Sequence, residues 1–326
     1  MTEAPYPWQM RQWRQLQQQI AQGRLPHALL LSGMRGLGKI DFAVSLIQSI
    51  LCDRPTGEGR ACDLCRSCSL LKAGTHPDFI RVQPEASGKP IRIDAVREVI
   101  EFLTLSPSLR GRRIVLVDAA DALNVNAANS LLKTLEEPAP SALLILVSER
   151  PNSLPATVRS RCQLLRFNVP NGSEASVWLT DRLTDGNLTD VVLARAGGAP
   201  LAALHFTNEE ALNQRHTLID CLNQLSEARL DPGAVVDAHT DLINSNLLDT
   251  LSSWLRDLIR VGHGTDIREN PDYEKVLLAR RERLDLPKLF ECLDQAQRLR
   301  DLLGNGLNAA LQFEALLIRF HAAVNK

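Results

Sequence analysis

Three groups of residues in this chain have the types and spacing to do chemistry. The first is Gly33-Met34-Arg35-Gly36-Leu37-Gly38-Lys39-Ile40, which follows an apolar run and opens a helical pattern. Glycines at this spacing let backbone N–H groups turn toward a phosphate. The helix N-terminus adds its dipole and the lysine adds a charge. The last position of the pattern, a Ser or Thr that would hold Mg²⁺, is Ile40, which has no ligand atom. Gly33, Gly36, Gly38 and Lys39 keep the means to touch a phosphate; the bland alternative is a glycine-rich turn with no ligand. Farther on, Asp118 ends the run RIVLVD, where a second Mg²⁺-binding acid would sit. In an active ATPase of this type a water-polarising Glu comes next, but here Ala119 follows, and Asp121 lies too far along to replace it. Two catalytic parts are missing together, so hydrolysis by this chain is not expected. ATP binding is a doubtful possibility, left open by Gly38 and Lys39.

The second group is Cys52, Cys62, Cys65 and Cys68, spaced C-x9-C-x2-C-x2-C. Thiolates on tight turns can converge on one ion, and four protein ligands leave no open position, so a structural Zn²⁺ is expected. His76, eight residues past Cys68, is a competing donor, although Cys52 completes the set without it. The other three of the seven cysteines, Cys162, Cys221 and Cys292, sit singly in apolar patterns and read as small core hydrophobes. The third group is Ser160-Arg161-Cys162. Taken alone, Arg161 reads most simply as a surface ion-pair former. Arg110, Arg112 and Arg113 read as a solvated loop rather than a nucleic-acid contact.

The elements that must position these groups follow from apolar patterning. The runs at 28–33, 79–83, 113–120, 142–149 and 164–169 are short and rich in Val, Ile and Leu. They alternate with helical stretches at 94–105 and 125–137. Such alternation predicts a parallel sheet covered on both faces. After Pro170 the strand signal fades. Residues 171–205 hold two short helical patterns broken by Gly197, Gly198 and Pro200. Residues 206–326 read as wholly helical, with loops near 231–233, 262–264 and 304–306. The fold class is therefore α/β plus all-α. The expected division is an α/β domain over 1–168 with a zinc module at about 52–70, a small helical domain over 169–205 and a helical bundle over 206–326. The apolar stripes of that bundle, which include Leu307, Leu311, Phe313, Leu316 and Leu317, are expected to be partly spare for a partner.

Composition narrows the function classes. The 326 residues are 44% hydrophobic and 23% charged, an ordinary globular balance. The net charge is -1 and aromatics are only 4%, which counts against a zinc-dependent nucleic-acid reader. A P-loop nucleotide kinase with a zinc lid would need the loop hydroxyl and would leave the helical C-terminal half unexplained. No apolar run reaches the ~18 residues of a membrane span, and the N-terminus lacks the apolar core of a signal peptide. A cytoplasmic location is expected.

With these residues in view, the chain resembles the bacterial clamp-loader ATPases, a branch of the AAA+ superfamily. The likeness rests on RLPHALLLSG (24–33), THPDF (75–79), NAANSLLKTLEEP (126–138), RSRCQ (159–163) and a cysteine module between the phosphate-loop helix and the second strand. It implies an AAA+ domain, a helical lid and a C-terminal collar that joins subunits. Ile40, Ala119 and the lack of an Arg near Leu201 resemble the members that do not hydrolyse ATP, although an active motor subunit is the alternative within the same assembly. The resemblance gives Ser160-Arg161-Cys162 the role of an arginine-finger motif, with Arg161 reaching ATP on an adjacent subunit. It also implies the partners: motor subunits (gamma or tau) and a delta subunit in a hetero-pentamer, and through the complex the sliding clamp and primed DNA.

Overall fold

The structure is a computed structural model that describes all residues except 1–3, 85–89, 110, 184–188, 207–208, 240–242, 304–307 and 326. Arg110, Leu307 and the 304–306 loop therefore lie outside the described residues. The chain divides into two compact units, Met1–Glu174 and Ala175–Lys326.

The first unit is built on five strands: β1 (Ala28–Ser32), β2 (Phe79–Val82), β3 (Arg113–Val117), β4 (Ala142–Ser148) and β5 (Gln163–Arg166). All pairings are parallel, in the order β2-β3-β4-β1-β5. The strands of the sheet centre, β1, β3 and β4, are buried along their whole length, which is why they read as unbroken apolar runs rather than alternating ones. The connections carry α1 (Met10–Ala21), α2 (Lys39–Leu51), α3 (Arg66–Lys72), α4 (Ile93–Thr104), α5 (Val125–Ser130), α6 (Leu132–Glu136) and α7 (Ala156–Arg159). The stretch expected as one helix over 125–137 is thus two short ones. In α4, Val96, Val99 and Leu103 are buried on one face, as their spacing requires.

Arg113 is not on a solvated loop. It begins β3, is 7% exposed, donates from Nε to the Ser106 carbonyl at 2.8 Å and lies 4.6 Å over the Phe102 ring. A guanidinium with fixed acceptors and an aromatic face can be buried where a loosely held charge cannot.

The second unit is helical: α8 (Gly172–Thr180, entered from the first unit), α9 (Thr189–Arg195), α10 (Pro200–His205), α11 (Glu209–Ser226), α12 (Pro232–His239), α13 (Ser245–Gly262), α14 (Glu274–Leu278), α15 (Leu286–Leu302) and α16 (Ala309–Val324). Trp254, Phe313 and Phe320 are fully buried in its core. The apolar stripes of α16 divide between covered and open. Phe313, Leu316 and Leu317 are buried inside the unit, whereas Leu311 and Ile318 are 59% and 54% exposed. The helix carries two apolar faces, and 3.6-residue periodicity alone does not say which one the monomer covers. Among the described residues no helix is long and apolar enough to cross a membrane.

Asp257 on α13 is fully buried. It accepts from the backbone N–H groups of Arg268, Glu269 and Asn270 at 3.1, 2.9 and 2.7 Å, and from Arg260 at 2.8 Å. It pins the 268–270 segment to the bundle. Asp257→Ala is expected to cost about 3 kcal/mol by stranding these donors, read as a lower urea midpoint for the second unit. An unchanged midpoint would contradict this role.

Candidate functional site

β1 carries the chain to the carboxyl edge of the sheet, where 33–38 turn into α2. A Cβ on Gly33 would lie 2.4 Å from the Phe167 carbonyl oxygen, so the close approach there needs glycine. Gly38 caps α2 at φ +76°, and a Cβ on it would meet the Tyr6 ring at 2.6 Å. The N-terminal segment therefore lies directly on the 33–38 loop. Gln9 donates to the Leu37 and Gly38 carbonyls at 2.8 and 2.9 Å, and Trp8 Nε1 donates to Leu37 at 3.1 Å. The Tyr6 hydroxyl reaches Asp41 at 3.3 Å.

Lys39 is buried, and its ammonium donates to the Met34 carbonyl at 2.8 Å, within its own loop. Burial pulls its pKa below the usual lysine value, and the charges of Glu149 and Asp121 oppose that shift. Ile40, one residue on, offers only hydrocarbon. Asp118 follows β3, and Arg81 of β2 grips both of its carboxylate oxygens: Nε at 3.0 and 2.9 Å, Nη2 at 2.6 Å. Ala119 follows with no acid. Asp121 accepts from the Ser148 hydroxyl at 2.6 Å and from the backbone N–H of Glu149 at 2.7 Å, so it serves the end of β4.

The four cysteines come together between α2 and α3. Their sulfurs all lie within 4.8 Å of one another, with Cys52 and Cys65 3.9 Å apart. Four thiolates at about 2.3 Å from one tetrahedral ion stand about 3.8 Å apart. The donor set thus fits a metal such as zinc, and it is the His/Cys/Asp/Glu group with that capacity among the described residues. The N–H groups of Leu64 and Cys65 hold the Cys62 thiol down at about 6, while burial raises Cys52 and Cys68. His76 stays outside the cluster. Its Nδ1 accepts from the Asp78 N–H at 3.1 Å, so Nε2 carries the proton and donates to Ser67 Oγ at 2.9 Å. Ser67 in turn donates to the Leu51 carbonyl at 2.5 Å. This relay ties the cysteine module to the start of β2, and burial lowers the His76 pKa against the opposing charges of Asp78 and Asp53. From α1, Trp13 Nε1 holds the Glu58 carbonyl in the C-x9-C loop at 3.0 Å.

Arg161 stands between α7 and β5. Gln163 is level with Leu29 of the parallel β1, so Arg161 lies at the amino edge of the sheet and Gly33 at the carboxyl edge. Six residue steps separate them, about 20 Å at ~3.3 Å per step. The side chain is not wholly free: Nη2 lies 2.5 Å from Glu136 Oε1, with the two side chains 34% and 51% exposed. Nη1 donates to the Thr157 carbonyl at 2.9 Å and lies 3.4 Å from Ser160 Oγ. Cys162 turns inward against the sheet core, and burial pushes its thiol up to about 11. Cys292 is likewise a buried core residue and Cys221 is partly buried against the same helical core.

The sequence-predicted residues thus fall into separate places, with the 33–38 loop and Asp118 at one edge, Arg161 at the other and the cysteines in their own module. Sequence reasoning missed Arg81, Glu136, Ser67 and the cover formed by Tyr6, Trp8 and Gln9. Glu136 lies in the stretch LEEP, which reads as helix end and family likeness but not as an ion-pair partner, and His76 reads as a competing metal donor rather than as a tie to Ser67; Arg81 carries no local signal at all.

Residues 8–171 match the family described as DNA polymerase III, delta subunit, and residues 209–322 match its C-terminal counterpart. A DNA polymerase III subunit delta' of Pseudomonas aeruginosa is 33% identical over 321 residues, 97% of each chain. The chain belongs to the DNA polymerase III delta-prime subunit family. The Escherichia coli subunit delta' is 33% identical over 96% of this chain and 94% of its own. A solved DNA polymerase III gamma-subunit-related protein from Thermotoga maritima matches 96% of this chain and 100% of its own at 19% identity, with a TM-score of 0.48.

The purified chain is expected to carry about one zinc per molecule. Cys68→Ser should release it and loosen residues 52–72 to hydrogen exchange while the sheet stays protected. Metal analysis without zinc, with four freely titrating thiols, would contradict this assignment.

Proposed function

We propose that this chain is a non-hydrolysing subunit of a DNA polymerase III clamp loader, and that it supplies Arg161 to ATP held on the adjacent motor subunit while the ring loads the sliding clamp onto primed DNA. The observation that carries this reading is the placement of Arg161 at the sheet edge opposite its own phosphate loop, in a chain of the delta-prime family. An arginine about 20 Å from its own loop has no route to a phosphate there, so its substrate must belong to a neighbour. A planar, permanently charged guanidinium suits the spread charge of a transferring phosphoryl group. The ion pair with Glu136 does not oppose this role. Both groups are partly exposed, and such pairs contribute only about 0–1 kcal/mol, so a phosphate can displace the carboxylate.

Hydrolysis in cis lacks both the Mg²⁺-holding hydroxyl at Ile40 and the water-polarising carboxylate at Ala119. Residues 1–168 would act as the AAA+ domain with a structural zinc module, 169–205 as the lid and 206–326 as the collar. On α16, Leu311, Ala315, Ile318 and Ala322 follow one another at helical spacing, with Leu311 and Ile318 exposed. That outer face, rather than the buried Phe313 side, is the one offered to partner subunits.

The isolated chain should show no ATP turnover above background. In a complex with motor and delta subunits, Arg161→Ala should leave folding, zinc content and assembly intact while lowering DNA-stimulated hydrolysis and clamp loading. Fingers acting in trans are worth about 10³–10⁵ in rate at their own site, and total turnover falls by less because other sites continue. Arg161→Lys should rescue only in part, since an ammonium lacks the fork. Undiminished loading by Arg161→Ala would overturn the reading. Leu311→Asp with Ile318→Asp should weaken assembly without unfolding the monomer, measured by gel filtration of the mixed subunits.

A further inference from the structure

We propose that Arg81 takes the place of a divalent cation on Asp118, so that this chain closes its own phosphate-loop site with side chains instead of metal and nucleotide. The proposal concerns this chain's own loop and holds whether or not Arg161 serves a neighbour. It begins with the Asp118 side chain, which is only 9% exposed. A carboxylate so far removed from water requires a cation or several N–H donors. Active P-loop enzymes meet that need with Mg²⁺, shared between this aspartate and the loop hydroxyl. Here the hydroxyl is Ile40, and the positive charge comes from the next strand.

β2 and β3 run parallel with Arg81 level with Leu116, two residues before Asp118. From that register the guanidinium reaches along the edge and engages both carboxylate oxygens with three contacts of 2.6 to 3.0 Å. Hydrogen bonding to Asp118 holds the guanidinium above its usual pKa, with a further contribution from Asp41 in the first turn of α2. Mg²⁺ requires carboxylate lone pairs at ~2.0–2.1 Å, and here those lone pairs accept from N–H. The guanidinium also repels any cation that approaches. A second set of contacts agrees. Lys39 donates to the Met34 carbonyl inside its own loop, and Gln9 and Trp8 hold the Leu37 and Gly38 carbonyls from above. The two side chains that would meet phosphate and magnesium, Lys39 and Asp118, are thus both partnered within the chain.

The test uses the full-length, zinc-loaded protein and Mn²⁺ as the probe, followed by electron paramagnetic resonance. The wild-type chain should bind no Mn²⁺ that depends on Asp118. Arg81→Gln keeps hydrogen-bonding capacity but removes the charge, and should gain one Mn²⁺ site at least about tenfold tighter than any in the wild type. That site should vanish in Arg81→Gln/Asp118→Asn. Arg81→Ala serves the same test if the glutamine variant does not fold, as judged by circular dichroism. Two results would overturn the proposal: a folded Arg81 variant that binds Mn²⁺ no better than wild type, or a wild-type chain whose Mn²⁺ binding is lost on Asp118→Asn.

Discussion

The parallel pairing of β1 with both β4 and β5 is the constraint on which the first unit depends. β1 is fully buried and hydrogen-bonded on both sides, with Leu30 level with Leu146 and with Leu164. Because all strands point the same way, the sheet has two chemically different edges. Loops that leave strands gather at the carboxyl edge, and segments that enter them gather at the amino edge. The 33–38 loop leaves β1 at one edge and Arg161 leads into β5 at the other. A slip of one residue would turn every buried leucine of β1 toward the opposite layer, so the separation is as firmly fixed as the core.

At the carboxyl edge polar groups are satisfied from within. Arg81 meets Asp118, Lys39 meets Met34, and Asp121 meets Ser148 and the start of the next turn. At the amino edge the main guanidinium contact is an ion pair with a half-exposed glutamate, easily exchanged. The contrast is one of solvent and pairing: at one edge Asp118 is nearly buried against Arg81, and at the other both members of the Arg161–Glu136 pair are partly exposed. The cysteine module is fastened separately, by the His76–Ser67–Leu51 relay and by Trp13.

The five strands and the cysteine cluster were legible in the sequence because each rests on local pattern: unbroken apolar runs for buried parallel strands, and short spacings for thiolates. Helix 125–137 was legible in type but not in detail, since the break at Leu131 leaves the apolar pattern unchanged. Arg113 read as solvated because its burial depends on Phe102 and Ser106, whose approach no local rule announces. Arg81 with Asp118 and Arg161 with Glu136 are pairings of distant residues created by topology. The face of α16 that is buried also depends on the other helices of the bundle. Both of its sides are apolar in sequence, although Phe313 is covered and Leu311 is not.

The central claim is that Arg161 acts on a single ATP held by a neighbour. It is tested most directly by counting the ATP molecules hydrolysed in the first fast turnover of a reconstituted complex bound to clamp and primed DNA. With Arg161→Ala in this chain alone, the burst is predicted to shrink by one ATP per complex while the remaining sites keep their rate. A burst of unchanged amplitude and rate would contradict the account.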